Sequence, residues 1–350
     1  MMRIAWLRRL ALAGMLLAFC VVVFGAYVRL SDAGLGCPDW PGCYGHVTPS
    51  GAVAAAAATA ASTAPPLHAG KAWREMIHRY GASTLGLIIL VIAFLSLRWR
   101  DHPQVPLALP LALVALVIFQ GLLGMWTVTL LLKPLIVTAH LVFGLATLSM
   151  LWWLWMSLRR RASSQWPGMG APVRSVATGA LLRPAPQGLR RLCSVALAAL
   201  IVQILLGGWT STNYAAVACP DFPRCQASWW PEADYRDAFV VWRGLGINYE
   251  GGVLDTGARV AIHFTHRLGA LVATLALLLA AILTLRLRPE AASRRAAIAV
   301  LAALALQLGI GISMVLRGFP LQLATAHNAG AALLLLATLA LLRSLRRDTG

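Results

Sequence analysis

The sequence predicts an all-α integral membrane protein. Its eight transmembrane helices form two tandem four-helix bundles, with both termini in the cytoplasm. Three observations carry this. First, 59% of the residues are hydrophobic, only 12% are charged, and the mean hydropathy is +0.73; a soluble domain carries about 25% charged residues. Second, apolar runs near the length that crosses a bilayer, about 20 residues, occur at roughly 10–29, 74–97, 105–127, 134–157, 192–213, 258–285, 296–316 and 320–342. Backbone groups in lipid must be satisfied within the segment, so these runs are helices. Third, the chain repeats itself. Cys37-Pro38-Asp39-Trp40-Pro41-Gly42-Cys43 returns 182 residues later as Cys219-Pro220-Asp221-Phe222-Pro223-Arg224-Cys225. His78-Arg79 returns 188 residues later as His266-Arg267, and Thr138-Ala139-His140 returns 187 later as Thr325-Ala326-His327.

The first run follows Arg3, Arg8 and Arg9, as the core of a signal peptide would. It is long for that role and lacks a convincing cleavage site, so it reads as a retained helix. An outer loop of about 30–73 follows. It opens with the Cys-Pro-Asp motif and holds an alanine run, Ala54–Ala61, without legible chemistry. After the fourth span, the stretch Arg159–Arg191 is rich in Arg, Pro, Gly and Ser and reads as a cytoplasmic linker. The domains are therefore an N-terminal half, 1–158, a linker, 159–191, and a C-terminal half, 192–350. Four spans per half return the chain to the same side, which makes the repeats parallel. The second outer loop, about 214–257, is the more acidic; it reads as a solvated loop, with a basic partner as the sharper alternative.

The net charge of +18 would suit nucleic acid, but its distribution excludes that reading. With the N-terminus inside, the inner segments hold 19 of the 30 basic residues and only Asp101, Glu290 and Asp348 of the 12 acidic ones. This is the positive-inside bias of a multi-pass membrane protein, and it places both termini in the cytoplasm. Anionic membrane lipid accounts for the basic faces.

The cysteine pairs lie on the outer, oxidising side, where disulfides persist. Six-residue spacing with two prolines and an aspartate between can fold back to close Cys37–Cys43 and Cys219–Cys225. Such short bridges shape a lid over whatever lies beneath; thiol exchange is the sharper alternative. Cys20 and Cys193 do not match across the repeat and read as packing residues.

Ionisable residues inside spans are functional candidates. His78, His140, His266 and His327 all fall towards the outer ends of even-numbered spans, facing the periplasmic side. Two imidazoles on separate helices can ligate one haem iron, so the pattern predicts two haem sites. A non-haem metal such as zinc or copper would need carboxylate or thiolate ligands that are scarce at this depth. Arg79 and Arg267, directly after two of the histidines, suit haem propionates or a snorkelled position at the interface. Glu75 precedes His78 by three residues, on the same helix face, but its counterpart is His263. A carboxylate beside a haem can accept a proton or stabilise positive charge, and an interfacial pair with Arg74 or Arg79 is the plainer alternative. The asymmetry suggests one half with a permanent cofactor and one with a reacting molecule. His46, His68 and His102 lie in loops and read as unspecific.

The chain resembles the haem A synthase family. The resemblance rests on Gly25-Ala26-Tyr27-Val28-Arg29-Leu30, Gly34-Leu35-Gly36-Cys37-Pro38-Asp39-Trp40-Pro41, Glu75-Met76-Ile77-His78-Arg79, Thr138-Ala139-His140, His266-Arg267 and Thr325-Ala326-His327. It covers nearly the whole chain apart from the linker and the outer-loop inserts. It implies an oxidoreductase that converts a ring methyl of haem O to a formyl group, giving haem A for terminal oxidase assembly. It implies a permanent haem b held by His266 and His327, and haem O entering near His78 and His140, with Glu75 beside the reacting methyl. A haem O synthase and the cytochrome oxidase assembly route follow as partners from the resemblance alone. A homo-oligomer is compatible with the sequence.

Overall fold

The computed structural model describes residues 2–58, 68–163 and 186–345. The elements in order are α1 (Met2–Leu30), α2 (Pro49–Ala58), α3 (Ala69–Arg98), α4 (Ala108–Thr129), α5 (Pro134–Ser163), α6 (Gln187–Thr212), a 3₁₀ turn (Ala216–Ala218), α7 (Tyr235–Ala238), α8 (Thr256–Leu287), α9 (Ala291–Leu316) and α10 (Leu321–Ser344). Eight of these, all but α2 and α7, are long and apolar enough to cross a membrane. Among the described residues β-structure is confined to two isolated bridges, Cys43 with His46 and Cys225 with Ser228.

The eight helices coincide with the eight apolar runs, and most of their ends lie further out for a physical reason, although α4 starts three residues later, at Ala108. Hydropathy marks the stretch that must sit in hydrocarbon, whereas a helix continues until its backbone is capped. Thus α1 begins at Met2 and carries Arg3, Arg8 and Arg9, while α5 runs on to Ser163 and α6 begins at Gln187, so both ends of the expected linker are helical. Residues 164–185 of that linker and part of the alanine run lie outside the described residues.

Four helices stop in the same way. The N–H groups of Ala33, Leu132, Ala215 and Phe319 donate to the carbonyls of Val28, Thr127, Thr210 and Met314, five residues back. The preceding residue is left-handed in each case: Asp32, Leu131, Tyr214 and Gly318. This closing turn satisfies carbonyls that a helix end would otherwise leave bare. It ends α1, α4, α6 and α9 sharply, and lets α5 restart at Pro134 and α10 at Leu321, next to the helices they pack on.

Helix α1 packs on α3, α5 and α10; α6 packs on α8, α10 and α5; α4 lies against α3 and α5, and α9 against α8 and α10. One continuous core joins them, from Leu7 and Ala11 through Leu148, Leu151 and Leu154 to Leu200, Leu277 and Leu334. Large apolar side chains such as Leu87, Phe94, Ile118, Leu271 and Leu279 stand exposed on the outer faces of the spans, where lipid tails solvate them. Polar links also cross between the halves of the sequence. The Arg29 guanidinium donates to Ser211 O (2.8 Å) and lies 4.2 Å over the Tyr214 ring, whose hydroxyl donates to Asp32. A cation at the carbonyl end of α6 is also favoured by the helix dipole.

Candidate functional site

The two Cys-Pro-Asp loops adopt the same local structure. Disulfides join Cys37 to Cys43 and Cys219 to Cys225, with Cα–Cα distances of 4.8 and 4.7 Å. Each loop passes a cis X–Pro bond, Trp40–Pro41 or Phe222–Pro223. After the second cysteine comes a two-residue reversal, Tyr44-Gly45 or Gln226-Ala227, with both residues left-handed. Three of those four carry a side chain, and a left-handed conformation costs such residues roughly 1–2 kcal/mol each. The motif aspartate compensates. Asp39 accepts the Tyr44 and Gly45 N–H groups, and Asp221 accepts those of Gln226 and Ala227. Burial works to raise the Asp221 pKa, but these N–H groups and the Arg267 charge outweigh it and hold the carboxyl below its ordinary value.

The arginines after the histidines hold these loops. Arg79 donates to the carbonyls of Asp39 (2.9 Å), Pro41 (3.2 Å) and Gly42 (2.5 Å), and Arg267 to those of Arg224 (2.6 Å) and Cys219 (2.9 Å). The remaining partner is what distinguishes the halves. Arg79 pairs with Glu75 at 2.5 Å, whereas Arg267 donates to His263 Nε2 at 3.2 Å. Glu75 is 5% exposed and also accepts the Cys37 N–H at 2.8 Å. The carboxylate therefore joins α3, the disulfide loop and Arg79 at one point.

The four histidines share one arrangement, and each lies against a glycine of a neighbouring helix. A methyl built on Gly25 (α1) would lie 2.7 Å from His78 Cε1, and on Gly207 (α6) 3.1 Å from His266 Cε1. On Gly124 (α4) it would lie 3.7 Å from His140, and on Gly311 (α9) 2.9 Å from His327. Only a bare Cα admits an imidazole this close in three of the four cases, since carbon atoms pack at about 3.5–4.0 Å. The His78 and His140 rings stand 6.5 Å apart, centre to centre. His78 Nδ1, His140 Nδ1 and His327 Nδ1 are buried without a partner, a departure from the usual pairing of buried polar atoms that marks these rings as more than packing residues.

These positions fit a haem better than a bare metal ion. Among the described residues no group of three or more His, Cys, Asp or Glu side chains gathers to hold a metal. A porphyrin brings four nitrogens of its own and needs from the protein only two axial ligands. His78 and His140, buried on separate helices with their rings 6.5 Å apart, are residues that could supply such a pair.

The sequence pointed to the histidines, Glu75 and both disulfides, and the fold brings Glu75, Arg79 and the first disulfide into direct contact. Cys193 is buried as a packing residue would be, while Cys20 is exposed on its span. Four carboxylates of the acidic second loop have partners within the chain: Asp234 caps α7, Asp255 caps α8, Asp237 pairs with Arg243 (2.6 Å) and Glu250 lies 4.0 Å from Lys71 of α3.

Sequence reasoning missed the glycines, although Gly25/Gly207 and Gly124/Gly311 recur at the offsets of the motifs. It also missed Gln203 and Lys133. The Lys133 ammonium is buried, donates to Gly244 O and lies 3.1 Å over the Trp242 ring, while Tyr249 N–H donates to Leu131 O. The second outer loop is thereby fastened onto the α4–α5 turn. No repeat marks Lys133, which explains why pattern reading passed over it.

The chain is similar to known proteins along most of its length. Residues 8–339 match a family described as cytochrome oxidase assembly protein. A haem A synthase of Shewanella oneidensis is 44% identical over 336 residues, covering 96% of this chain and 94% of that protein. Haem A synthases of Chelativorans sp. (27% identical; 94% of this chain, 88% of that one) and Paracoccus denitrificans (30% identical; 75% and 64%) are also similar.

Proposed function

The chain belongs to the cytochrome oxidase assembly protein family, and on that footing we propose that it is a haem A synthase: a multi-pass membrane enzyme that oxidises a ring methyl of haem O to a formyl group. The supporting observation is a built difference between two closely matched sites, Glu75 against His263 beside matched arginines. Two permanent haems of equal role would call for no such difference.

In this reading the N-terminal half, 1–158, receives haem O and the C-terminal half, 192–350, keeps a haem b, with both sites on the periplasmic side of the inner membrane. His266 and His327 hold the haem b, and His78 and His140 position the substrate. A bound haem b supplies one-electron redox chemistry. Conversion of methyl to formyl removes four electrons and adds one oxygen atom. Protons must therefore leave the reacting carbon, and Glu75 is the carboxylate placed to take one or to balance positive charge there. Its pairing with Arg79 and the Cys37 N–H fixes the carboxylate and ties its position to the disulfide loop above it. Arg79 and Arg267 orient those loops through their carbonyls. The neighbouring enzyme would be a haem O synthase, and the product would pass to cytochrome oxidase assembly.

The test is expression in a host that makes haem O but not haem A, with extracted membrane haems identified by liquid chromatography and mass spectrometry. Wild type yields haem A. Glu75→Gln lowers conversion by about 10²–10⁴-fold, the range for loss of a general acid–base group, while haem b remains bound. Haem A formed at the wild-type rate by Glu75→Gln would overturn the role given to this carboxylate.

A further inference from the structure

Helices α1 and α6 hold equivalent places against the histidines, through Gly25 on His78 and Gly207 on His266. One turn earlier they differ: Val21 in α1, Gln203 in α6. Both side chains fill the same spot. Val21 Cγ2 lies 3.2 Å from a methyl built on Gly81, and Gln203 Oε1 packs against Gly269, the glycines three residues after His78 and His266.

The consequences for the rings are different. Gln203 Nε2 lies 3.0 Å from His266 Nδ1 and also 3.0 Å from the His266 carbonyl oxygen. Its Oε1 is buried with no partner. In α9, Gln307 Nε2 reaches the His327 ring at 3.3 Å, whereas the matching Gln120 bonds the His140 backbone carbonyl at 3.2 Å. Asn328, with a buried and unpartnered Oδ1, stands where the first half has Leu141. Of the four rings only His266 thus has an amide at Nδ1, the same Gln203 Nε2 lying 3.4 Å from its Nε2, while His78 Nδ1, His140 Nδ1 and His327 Nδ1 have no partner.

We propose that Gln203 is the positioning residue that makes His266 a permanent axial ligand, and that Val21, in the same place, keeps His78 an exchangeable one. This rests on the reading of the C-terminal half as the haem b site and the N-terminal half as the substrate site.

The chemistry is as follows. When the Nε2 lone pair of His266 is given to iron, the ring proton resides on Nδ1 and needs an acceptor. The unpartnered Oε1 belongs to the amide already beside Nδ1. Turning that amide about its terminal torsion, which is broad, presents Oε1 to the proton, at the cost of the bond to the His266 carbonyl oxygen, from which Oε1 must then draw back. Such a bond fixes the tautomer and the ring plane and raises the basicity of the ligating nitrogen; losing an outer partner of this kind typically weakens binding by about 10–100-fold. A valine can do none of this. His78 then ligates through packing alone, as a site that must release its product requires.

The experiment uses the full-length protein purified in detergent with its haem bound, and a haem-free acceptor globin as scavenger. It records the rate of haem b release and the midpoint potential. Gln203→Val releases haem b about 10–100-fold faster and raises the potential. Gln203→Glu keeps an acceptor of similar length, restores retention, and moves the potential in the opposite direction, as a stronger acceptor on Nδ1–H must. Val21→Gln slows release of haem O from the N-terminal half by a similar factor. Unchanged release and potential in Gln203→Val, equal loss of haem in Gln203→Val and Gln203→Glu, or unchanged haem O release in Val21→Gln would each overturn the proposal. Haem b that stays bound in both His266→Ala and His327→Ala would instead overturn the assignment of the halves on which it rests.

Discussion

The glycines under the four histidines supply a graded perturbation whose order the structure dictates. Replacing Gly25 by Ala puts a methyl 2.7 Å from His78 Cε1; the figures are 2.9 Å at Gly311, 3.1 Å at Gly207 and 3.7 Å at Gly124. Carbon atoms pack at about 3.5–4.0 Å, so the His78 ring must yield by about 1 Å, the His327 and His266 rings by somewhat less, and His140 by nothing. The clash falls on the far end of a side chain, so the fold survives. An alanine in a helix interior even stabilises it by roughly 0.5–1 kcal/mol relative to glycine. The damage therefore falls on ligand geometry, where a 1 Å misplacement costs about 10²-fold in rate. Gly25→Ala should lower haem A formation about 100-fold with haem b and thermal stability retained. Gly311→Ala, and less severely Gly207→Ala, should weaken haem b binding. Gly124→Ala should behave as wild type. Conversion is read by mass spectrometry of extracted haems, haem b by reduced-minus-oxidised spectra, and folding by thermal denaturation in detergent. Wild-type conversion by Gly25→Ala, or damage from Gly124→Ala equal to that from Gly25→Ala, would refute the reasoning.

Three further outcomes are expected. His266→Ala or His327→Ala removes the permanent haem b spectrum while His78→Ala spares it; loss of all haem absorbance in His78→Ala alone would reverse the assignment of halves. Joint replacement of Cys37 and Cys43 by serine lowers stability by about 2 kcal/mol, the chain-entropy value for so short a loop, and leaves the loop in place because Arg79 and Asp39 still hold it; thermal denaturation with and without reductant measures this. Lys133→Met keeps an apolar stem but loses the bond to Gly244 and the stacking on Trp242, so residues 242–250 should be cut several-fold faster by limited proteolysis, with the helices unchanged.

The eight spans are legible in the chain because hydrocarbon imposes a length and an apolar composition that no tertiary detail alters. The helix ends are not, because capping is decided by single residues such as Asp32 and Leu131 that take a left-handed conformation usually given to glycine. The histidines, the disulfides and the Glu75/His263 difference are legible because a repeat turns each into a comparison. The motif aspartates stand in plain view, yet their bonds to the next reversal depend on backbone angles that residue identity does not state. Arg79 and Arg267 fall to the loop carbonyls because a guanidinium placed beneath a reversed loop meets several carbonyl oxygens at once.

By itself, then, the sequence determined a helical membrane protein, the order of its chemistry-bearing residues and the points at which its halves differ, since composition and repetition are properties of the chain alone. Only the tertiary structure decided that glycines on neighbouring helices receive the imidazoles, that Gln203 meets His266 while Val21 stands beside Gly81, three residues past His78, and that Lys133 fastens the second loop to the first half. Those contacts join residues 16 to 111 positions apart, and the reason they form is the packing of helices against one another, which no local pattern encodes.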